Sequence, residues 1–192
     1  IVNVEKKKTV KLNEYNDSYS FGSYPPSSFG IYLNETMKAS DGGFAFQDIN
    51  LEGVTYAWKY DSQNGYWKAA AFANGVNNPT ESWLVSTEID LSGATAPSLS
   101  FDAAINYLNG NNRADFIEVK ISTDYVDNVK SATWATLNAA WSEGKSWTFV
   151  NSGAIDLKDY VGKKARLAFV YKSTSACAPT VEIKNVSVSE PK

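Results

Sequence analysis

Two segments of the chain combine aromatic rings with polar groups that could contact a sugar. Residues 56–68 read YAWKYDSQNGYWK, and residues 106–115 read NYLNGNNRAD. Sugars present C–H faces that stack on Trp and Tyr rings, whereas their hydroxyl groups hydrogen-bond to amide, carboxylate and ammonium groups. We therefore interpret both segments as candidate glycan contacts. The candidate ligand-binding residues are Tyr60, Trp67, Asn106, Tyr107, Asn109, Asn111, Arg113 and Trp141.

The positions of the aromatic residues decide which rings are available to a ligand. Trp67 lies next to a turn, which favours exposure, and Trp141 lies in AAWSEGK, the least strand-like of the tryptophan segments. The alternative is that the alternating residues Tyr56, Trp58 and Tyr60 line the interior, because large aromatic side chains are usually at least partly buried. In that case the Asn-rich tract is only a turn.

The absence of histidine excludes several classes of enzyme. Ser-His-Asp and Cys-His mechanisms need an imidazole base, and a single Cys177 without histidine cannot make a tetrahedral zinc site. Carboxylate pairs, lysine nucleophiles and metal–phosphate chemistry remain. Glu118 and Glu182 alternate with apolar residues, as ordinary solvent-facing acids do. We therefore expect no catalytic residues and no enzyme activity.

Charge and hydropathy restrict the classes of partner. The formal net charge is −3 at pH 7, whereas a nucleic-acid binder normally carries a basic surplus, so we expect no nucleic-acid partner. No apolar run approaches the roughly 18 residues that span a bilayer, so we expect no transmembrane segment. Hydrophobic residues make up 43% of the chain, which is enough to build a large core.

The elements that would position the candidate residues are short strands. From about residue 31, runs of roughly 5–10 residues alternate apolar and polar side chains and are separated by Gly, Asn, Asp or Pro turns. This pattern predicts an all-β, two-sheet antiparallel fold, meaning a β-sandwich or jelly roll. Residues 1–30, rich in Ser, Gly, Pro and Tyr, are predicted to be an N-terminal extended or linker segment, and residues 31–192 the jelly-roll domain.

The alternation also predicts which residues face the core. The final segment TVEIKNVSV changes phase once, which predicts a β-bulge at Lys184–Asn185. This final strand is expected to lie inside a sheet, beside a strand from the start of the domain. The residues expected to be buried are Trp83, Leu99, Phe101, Ile117, Val119, Leu167 and Phe169.

Four segments, in order, resemble a family of bacterial surface domains. They are LEGVTYAWKYDSQNGYWKAAAF at 51–72, ESWLVSTEIDLSGATAPSLSFDAA at 81–104, WTFVNSGAIDLKDYVGKKARLAFVYKST at 147–174 and TVEIKNVSV at 180–188. Together they resemble the jelly-roll domains called choice-of-anchor J and cleaved adhesin, over about residues 31–189. The resemblance implies a jelly roll of the galactose-binding or concanavalin-like type that serves as a non-catalytic adhesive or carbohydrate-contacting module.

The resemblance also bears on metal binding. Many domains of this kind bind a structural Ca²⁺ through a carboxylate near the start of the domain and an Asp on the final strand. Glu35 takes the first position here, but Lys184 stands where relatives often carry Asp, and its ammonium group would repel or replace the cation. We expect Lys184 to pair with Asp102. We therefore expect no metal site and no cofactor, and a structural Ca²⁺ is the alternative.

These observations lead to one hypothesis of function. The chain is interpreted as a non-catalytic surface adhesion or carbohydrate-binding module of an exported bacterial protein, located at the cell surface or associated with the outer membrane. Its expected partner is a glycan or a host or cell-surface macromolecule, contacted by a monomeric domain of a longer chain. The alternatives are a purely structural spacer domain of a larger surface protein and a carboxylate-based glycan-processing enzyme.

Overall fold

The computed structural model describes residues 29–191, so that residues 1–28 of the predicted linker lie outside the described residues. Within this range the chain forms fifteen strands and two single 3₁₀ turns, at Arg113–Asp115 and Lys158–Tyr160. No helix between residues 29 and 191 has the length and apolar character needed to cross a membrane. The strands are β1 (Phe29–Glu35), β2 (Ala45–Leu51), β3 (Trp58–Asp61), β4 (Tyr66–Ala69), β5 (Phe72–Ala73), β6 (Val76–Asn77), β7 (Thr80–Val85), β8 (Ile89–Asp90), β9 (Ser98–Asn106), β10 (Ile117–Ser122), β11 (Ala135–Thr136), β12 (Ser146–Asn151), β13 (Ile155–Asp156), β14 (Lys164–Ser173) and β15 (Thr180–Pro191).

Two antiparallel sheets contain most of these strands. The front sheet has seven strands in the order β12-β9-β15-β4-β3, with β1 paired to β15 and β13 paired to β9. The back sheet has six strands in the order β11-β10-β14-β7-β2, with β8 paired to β14. A hairpin of β5 and β6 stands apart from both. This arrangement confirms the predicted β-sandwich and places the final strand β15 inside a sheet beside β1.

The core lies between the two sheets and is built by the inward residues of each strand. Phe101 of the front sheet meets Phe169 of the back sheet edge-on, with ring centroids 5.0 Å apart. Trp58 and Tyr171 make a second edge-on contact at 6.3 Å, and the Trp58 indole N–H donates to the carbonyl of Ser82. Six of the seven residues expected in the core are fully buried: Leu99, Phe101, Ile117, Val119, Leu167 and Phe169.

Trp83 is the exception, because it faces away from the main core. Leu84 points between the sheets, so the period of two along β7 turns Trp83 and Val85 to the outer side of the back sheet. Trp83 is half-buried there against Trp134, with ring centroids 5.3 Å apart, and its indole N–H donates to Glu81. The expectation of a core anchor at Trp83 is therefore wrong, since Leu84 fills that role.

The predicted bulge in β15 is confirmed. The register of β15 against β9 shifts between Lys184 and Ser187, and Asn185 adopts a left-handed conformation with φ of 52°. Asp102 accepts the side-chain amide N–H groups of Asn185 at 2.6 Å and Asn151 at 2.8 Å. The expected ion pair of Asp102 with Lys184 is absent, although the two residues stand opposite each other. The bulge supplies the reason, since it brings an amide to Asp102 instead.

Candidate functional site

The outer face of the front sheet carries the side chains that could bind a ligand. On β4, Trp67 and Ala69 belong to the core, so that Tyr66 and Lys68 point outwards. Glu182 of β15 stands directly opposite Lys68 and therefore also faces outwards. The alternation along neighbouring strands thus sets a row of polar and aromatic side chains across this sheet.

Side chains from distant strands meet above the middle of the front sheet. The rings of Phe149 on β12 and Tyr66 on β4 lie 6.1 Å apart, although β9 and β15 run between those two strands. Three interstrand spacings amount to about 14 Å in a flat sheet, so the sheet curls and the rings reach across it. We call this pair of rings the roof; Ala104 and Glu182, on the two strands between them, face outwards and yet are only 0% and 5% exposed.

The roof changes the acid–base properties of the groups beneath it. Burial raises the pKa of Glu182, while a hydrogen bond from Tyr66 and the positive charge of Lys68 oppose the rise. Burial and the negative charges of Glu182 and Asp61 raise the pKa of Tyr66 to about 12. Glu182 is therefore a structural support of this face and is covered from solvent.

An open groove runs beside the roofed part of the sheet. Two depressions of about 530 Å³ each meet at Lys68 and Ala70, and the small side chain of Ala70 leaves the space between them clear. We call the two together the front groove. The first depression is lined by Tyr56, Ala57, Lys59, Tyr60, Asp61, Ser62 and Gln63, and the second by Phe72, Asn77, Tyr107, Asn109, Ala178 and Thr180.

Two exposed aromatic rings stand together at one end of the front groove. Tyr107 is 53% exposed and Trp147 is 45% exposed, and their ring centroids lie 5.7 Å apart at 79°. The ammonium nitrogen of Lys68 lies 5.9 Å from the centre of the Trp147 ring. Tyr107 is left-handed, with φ of 64°, and its N–H donates to the side chain of Asn106 at 2.8 Å. Such a backbone conformation costs free energy for a bulky residue and often marks a functional site.

Four of the eight candidate residues lie in or beside the front groove. Tyr107, Asn109 and Tyr60 line it, and Asn106 immediately precedes Tyr107 on β9. Tyr60 is half-buried and its ring packs against the core beside Trp67, while its hydroxyl group donates to the carbonyl of Met37 at 3.0 Å. The Asn-rich segment thus reaches the groove through its first residues.

Trp67 was expected to be exposed, and this prediction is wrong. The side chain is 5% exposed, and its indole N–H donates to the carbonyl of Asp41 at 2.8 Å. Trp67 stands opposite Tyr60 on the neighbouring strand and contacts its ring at 5.7 Å. Trp67 and Ala69 both point into the core, so the alternation along β4 fixes the inward position of Trp67. The nearby turn does not expose it.

The remaining candidates, Asn111, Arg113 and Trp141, stand apart from the front groove and have local structural roles. The guanidinium group of Arg113 lies 5.2 Å from the centre of the Trp141 ring and donates to the carbonyl of Ile117 at 2.6 Å. Burial lowers the pKa of Arg113. Trp141 is half-buried against Phe101 at 5.0 Å, so it is less exposed than its sequence context suggested. The Asn111 side chain donates to the backbone of its own turn.

Sequence reasoning missed Phe72 in the groove and Trp147 beside it, and it named Tyr56, Lys59 and Lys68 only as members of the segment 56–68. From the sequence, Trp147 was included only as part of a segment that resembles the adhesin family. The available signal was that it is the second residue of SWTFVN, a strand in which polar residues (Ser146, Thr148 and Asn151) occur among the apolar ones. Such a composition is typical of an edge strand, and β12 is an edge strand of the front sheet. An aromatic ring on such a strand is free to face a ligand.

Among residues 29–191, no group of three or more Asp, Glu, Cys or His side chains is arranged to hold a metal ion. Asp102 is saturated by two amides, and Asp61 accepts the N–H groups of Gln63 and Asn64 at 3.1 and 2.9 Å. The acids of this face are therefore used to fix the local backbone and neighbouring side chains.

The fold is similar to solved adhesin domains. The K3 cleaved adhesin domain of Lys-gingipain from Porphyromonas gingivalis superposes with a TM-score of 0.56 and 14% sequence identity, covering 84% of this chain and 98% of that domain. The K2 cleaved adhesin domain of Lys-gingipain superposes with a TM-score of 0.50 and 17% identity, covering 81% of this chain and 96% of that one. At this identity the similarity concerns the fold. No protein-family model and no curated protein sequence matches the chain.

Proposed function

We propose that this domain is a non-catalytic carbohydrate-binding or adhesion module that holds a glycan in the front groove. The observation that carries the proposal is the pair of exposed rings of Tyr107 and Trp147 at the end of an open groove. Exposed aromatic rings provide stacking surfaces for the C–H faces of sugars. Because the two rings meet at 79°, one sugar unit can contact both faces of the corner that they form.

Polar groups next to these rings can fix the orientation of a sugar. Asn77, Asn109 and Thr180 line the same depression as Tyr107 and offer amide and hydroxyl groups. Lys68 adds an ammonium donor at the point where the two depressions meet. A groove with a few convergent polar groups and apolar walls is the usual form of a small-ligand site.

The acids that could form a catalytic pair support a non-enzymatic role. Glu118 lies on the back sheet and forms an ion pair with Lys120 at 3.1 Å. Glu182 lies beneath the roof of the front sheet, so that these two carboxylates belong to opposite faces of the sandwich. A glycosidase needs two carboxyl groups that flank one sugar bond, separated by about 5–10 Å.

The proposal extends to the family and the setting of the protein. The similarity of fold to cleaved adhesin domains and the four motifs in the sequence support a relation to the cleaved-adhesin and choice-of-anchor J domains. We place the domain in an exported bacterial protein at the cell surface, acting as a monomer within a longer chain. The expected partner at this location is a glycan on the surface of a host cell or of a neighbouring cell.

The proposal is tested on a glycan array with the full chain and two variants. Trp147→Ala removes an exposed ring of the groove, and we expect it to abolish or strongly reduce glycan signals. Val126→Ala is the control, because Val126 is an apolar residue that is 81% exposed and follows β10 of the back sheet, away from the front groove. We expect this control to keep the signals of the wild-type chain.

A different result would contradict glycan binding in the front groove. Signals that survive Trp147→Ala unchanged would place the binding surface elsewhere on the domain. If the folded wild-type chain binds no glycan at all, the domain is better explained as a structural spacer within a larger surface protein.

A further inference from the structure

Two lysines of the front groove stand in an electrostatically unfavourable arrangement. Lys59 of β3 and Lys68 of β4 are directly opposite each other in register, and both line the first depression. The Cβ atoms of residues so placed are about 4.5–5.5 Å apart, and like charges at such positions destabilise a sheet. The register therefore places the two lysines at adjacent positions on the same face, where their like charges oppose the pairing of the strands.

The acids nearby are engaged by donors other than these lysines. The ion pairs found between residues 29 and 191 use Lys120, Lys145 and Lys164, all outside the groove. Within the groove, Asp61 accepts two backbone N–H groups of its own turn and the side-chain amide of Asn64 at 2.9 Å. Glu182, opposite Lys68, is covered by the roof. Lys59 and Lys68 thus form no direct ion pair in the described part of the chain, although the charge of Lys68 acts on Glu182 and Asp61 at longer range.

Each of the two ammonium groups lies against an aromatic ring of the groove. The Lys59 nitrogen is 5.8 Å from the centre of the Tyr56 ring, and the Lys68 nitrogen is 5.9 Å from the centre of the Trp147 ring. Such contacts orient an ammonium group without neutralising its charge. The groove therefore presents stacking surfaces together with two lysine ammonium groups that make no direct ion pair.

We propose that the ligand of the front groove is an anionic glycan, whose carboxylate or sulfate groups lie between Lys59 and Lys68 while its sugar rings stack on Tyr56, Tyr107 or Trp147. The inference rests on the proposed function of the groove. An anion between the two ammonium groups would relieve their mutual repulsion, so that binding recovers the free energy that the empty groove loses. Lysine acts as a point charge and does not impose the planar geometry of arginine, so it accepts either anion.

Single-stranded nucleic acid combines the same features, since it carries negative charges and rings that stack. The net charge of the chain, −3 at pH 7, opposes the long-range attraction on which such binding depends. A glycan with spaced charges is therefore the class of ligand that the groove favours.

Matched polymers test the inference directly in titration calorimetry with the full chain. Polygalacturonate is compared with its methyl ester, and dextran sulfate with dextran, so that each pair differs only in charge. We expect binding to at least one charged member that is about tenfold tighter or more than to its neutral partner. The two pairs also distinguish a carboxylate from a sulfate ligand. Equal binding within both pairs would overturn the inference and leave glycan binding intact.

Lysine variants connect the selectivity to the groove. We expect Lys59→Gln and Lys68→Gln each to reduce about tenfold the ratio between the affinity for the charged polymer and the affinity for its neutral partner. The control is Lys172→Gln, since Lys172 is an exposed lysine on β14 of the back sheet. We also expect the thermal midpoint of Lys59→Gln to rise, because one of the two repelling charges is gone.

The remaining outcomes separate the two proposals. Full retention of charged-polymer binding by both lysine variants would contradict the inference. Preferential binding of single-stranded poly(dT) that is lost in the same variants would replace the glycan with a nucleic acid. Absence of binding to every charged and neutral glycan would overturn this inference and the proposed function together.

Discussion

The ring of Phe149 lies 6.1 Å from the ring of Tyr66, across two intervening strands of the front sheet. This contact divides the outer face into a roofed part, where Glu182 and Ala104 are buried, and the open groove beside it. The curl that brings β12 towards β4 also brings Trp147 near Lys68. The contact between Phe149 and Tyr66 thus accompanies both the covered part of the sheet and the position of the aromatic end of the groove.

The space under the roof fits alanine at position 104 and little more. Ala104→Leu adds a branched side chain to a site that is 0% exposed, so we expect it to displace the Phe149–Tyr66 contact and cost about 1–3 kcal/mol of unfolding free energy. Chemical denaturation measures the change. The control is Ser100→Leu on the same face of β9, which is half-exposed. An equal, small effect of both substitutions would show that no roof covers Ala104.

Two aromatic residues that the sequence predicts to be buried are expected to differ in their contribution to stability. Phe169→Ala removes a ring between the sheets and should cost about 3–5 kcal/mol. Trp83→Ala removes a half-buried ring on the outer side of the back sheet, where solvent can fill the space, and should cost about 1–2 kcal/mol. Denaturant titrations of both variants test the ranking. A larger loss for Trp83→Ala would contradict the assignment of the inward face of β7.

A carboxylate near the end of the final strand is expected to control the pH range of stability. The Tyr32 hydroxyl group donates to Glu190 at 2.6 Å, and the backbone N–H groups of Ala96 and Thr95 donate at 2.5 and 2.8 Å. These bonds hold the pKa of Glu190 at about 2, and the same contact raises the pKa of Tyr32 to about 12.

The sign of the effect differs at the two ends of the pH scale. Ionised Glu190 is favoured in the folded state, so stability falls as pH drops from the ordinary pKa of 4.5 towards 2. Neutral Tyr32 is favoured as well, so stability falls again as pH rises from 10 towards 12. A plot of the melting midpoint against pH should therefore be flatter at both ends for Tyr32→Phe than for the wild type. Parallel profiles of the variant and the wild type would refute this linkage.

Much of the fold follows from the sequence because alternation with a period of two is a local property. The strands from β7 to β15 and the bulge after Lys184 are visible in it. The errors at Trp67 and Trp83 arise where adjacent residues are both apolar. There the alternation does not show which of them faces the core, and packing against neighbouring strands decides. In β4 the inward phase comes from the pairing with β3, and in β7 from Leu84.

The site is less predictable than the fold because it depends on contacts between distant parts of the chain. Tyr107 and Asn109 belong to a segment whose composition is already suggestive. Trp147 reaches them only because the front sheet curls, and the curl depends on the small Ala104 and on the rings that cover it. The pairing of Lys59 with Lys68 depends on the register of a hairpin with a tight turn, and composition alone does not specify it.

We expect the domain to be indifferent to calcium. Lys184 places its ammonium group 3.9 Å from the centre of the Phe149 ring, and Asp102 already accepts two amide groups. A ligand that binds only the folded state raises the melting midpoint, so excess Ca²⁺ and excess chelator should give equal midpoints. A clear rise with Ca²⁺ would contradict this expectation. Lys184→Asp is the variant in which a calcium-dependent rise should appear.

The central claim is that the aromatic end of the front groove binds glycans, and a calorimetric titration of the best array ligand tests it most directly. We expect Trp147→Ala and Tyr107→Ala each to weaken binding by about tenfold or more. Both rings are about half-exposed, so their removal should leave the melting midpoint nearly unchanged, as in the control Val126→Ala, whose side chain is 81% exposed. Affinity that is unaltered in both folded variants would contradict the claim.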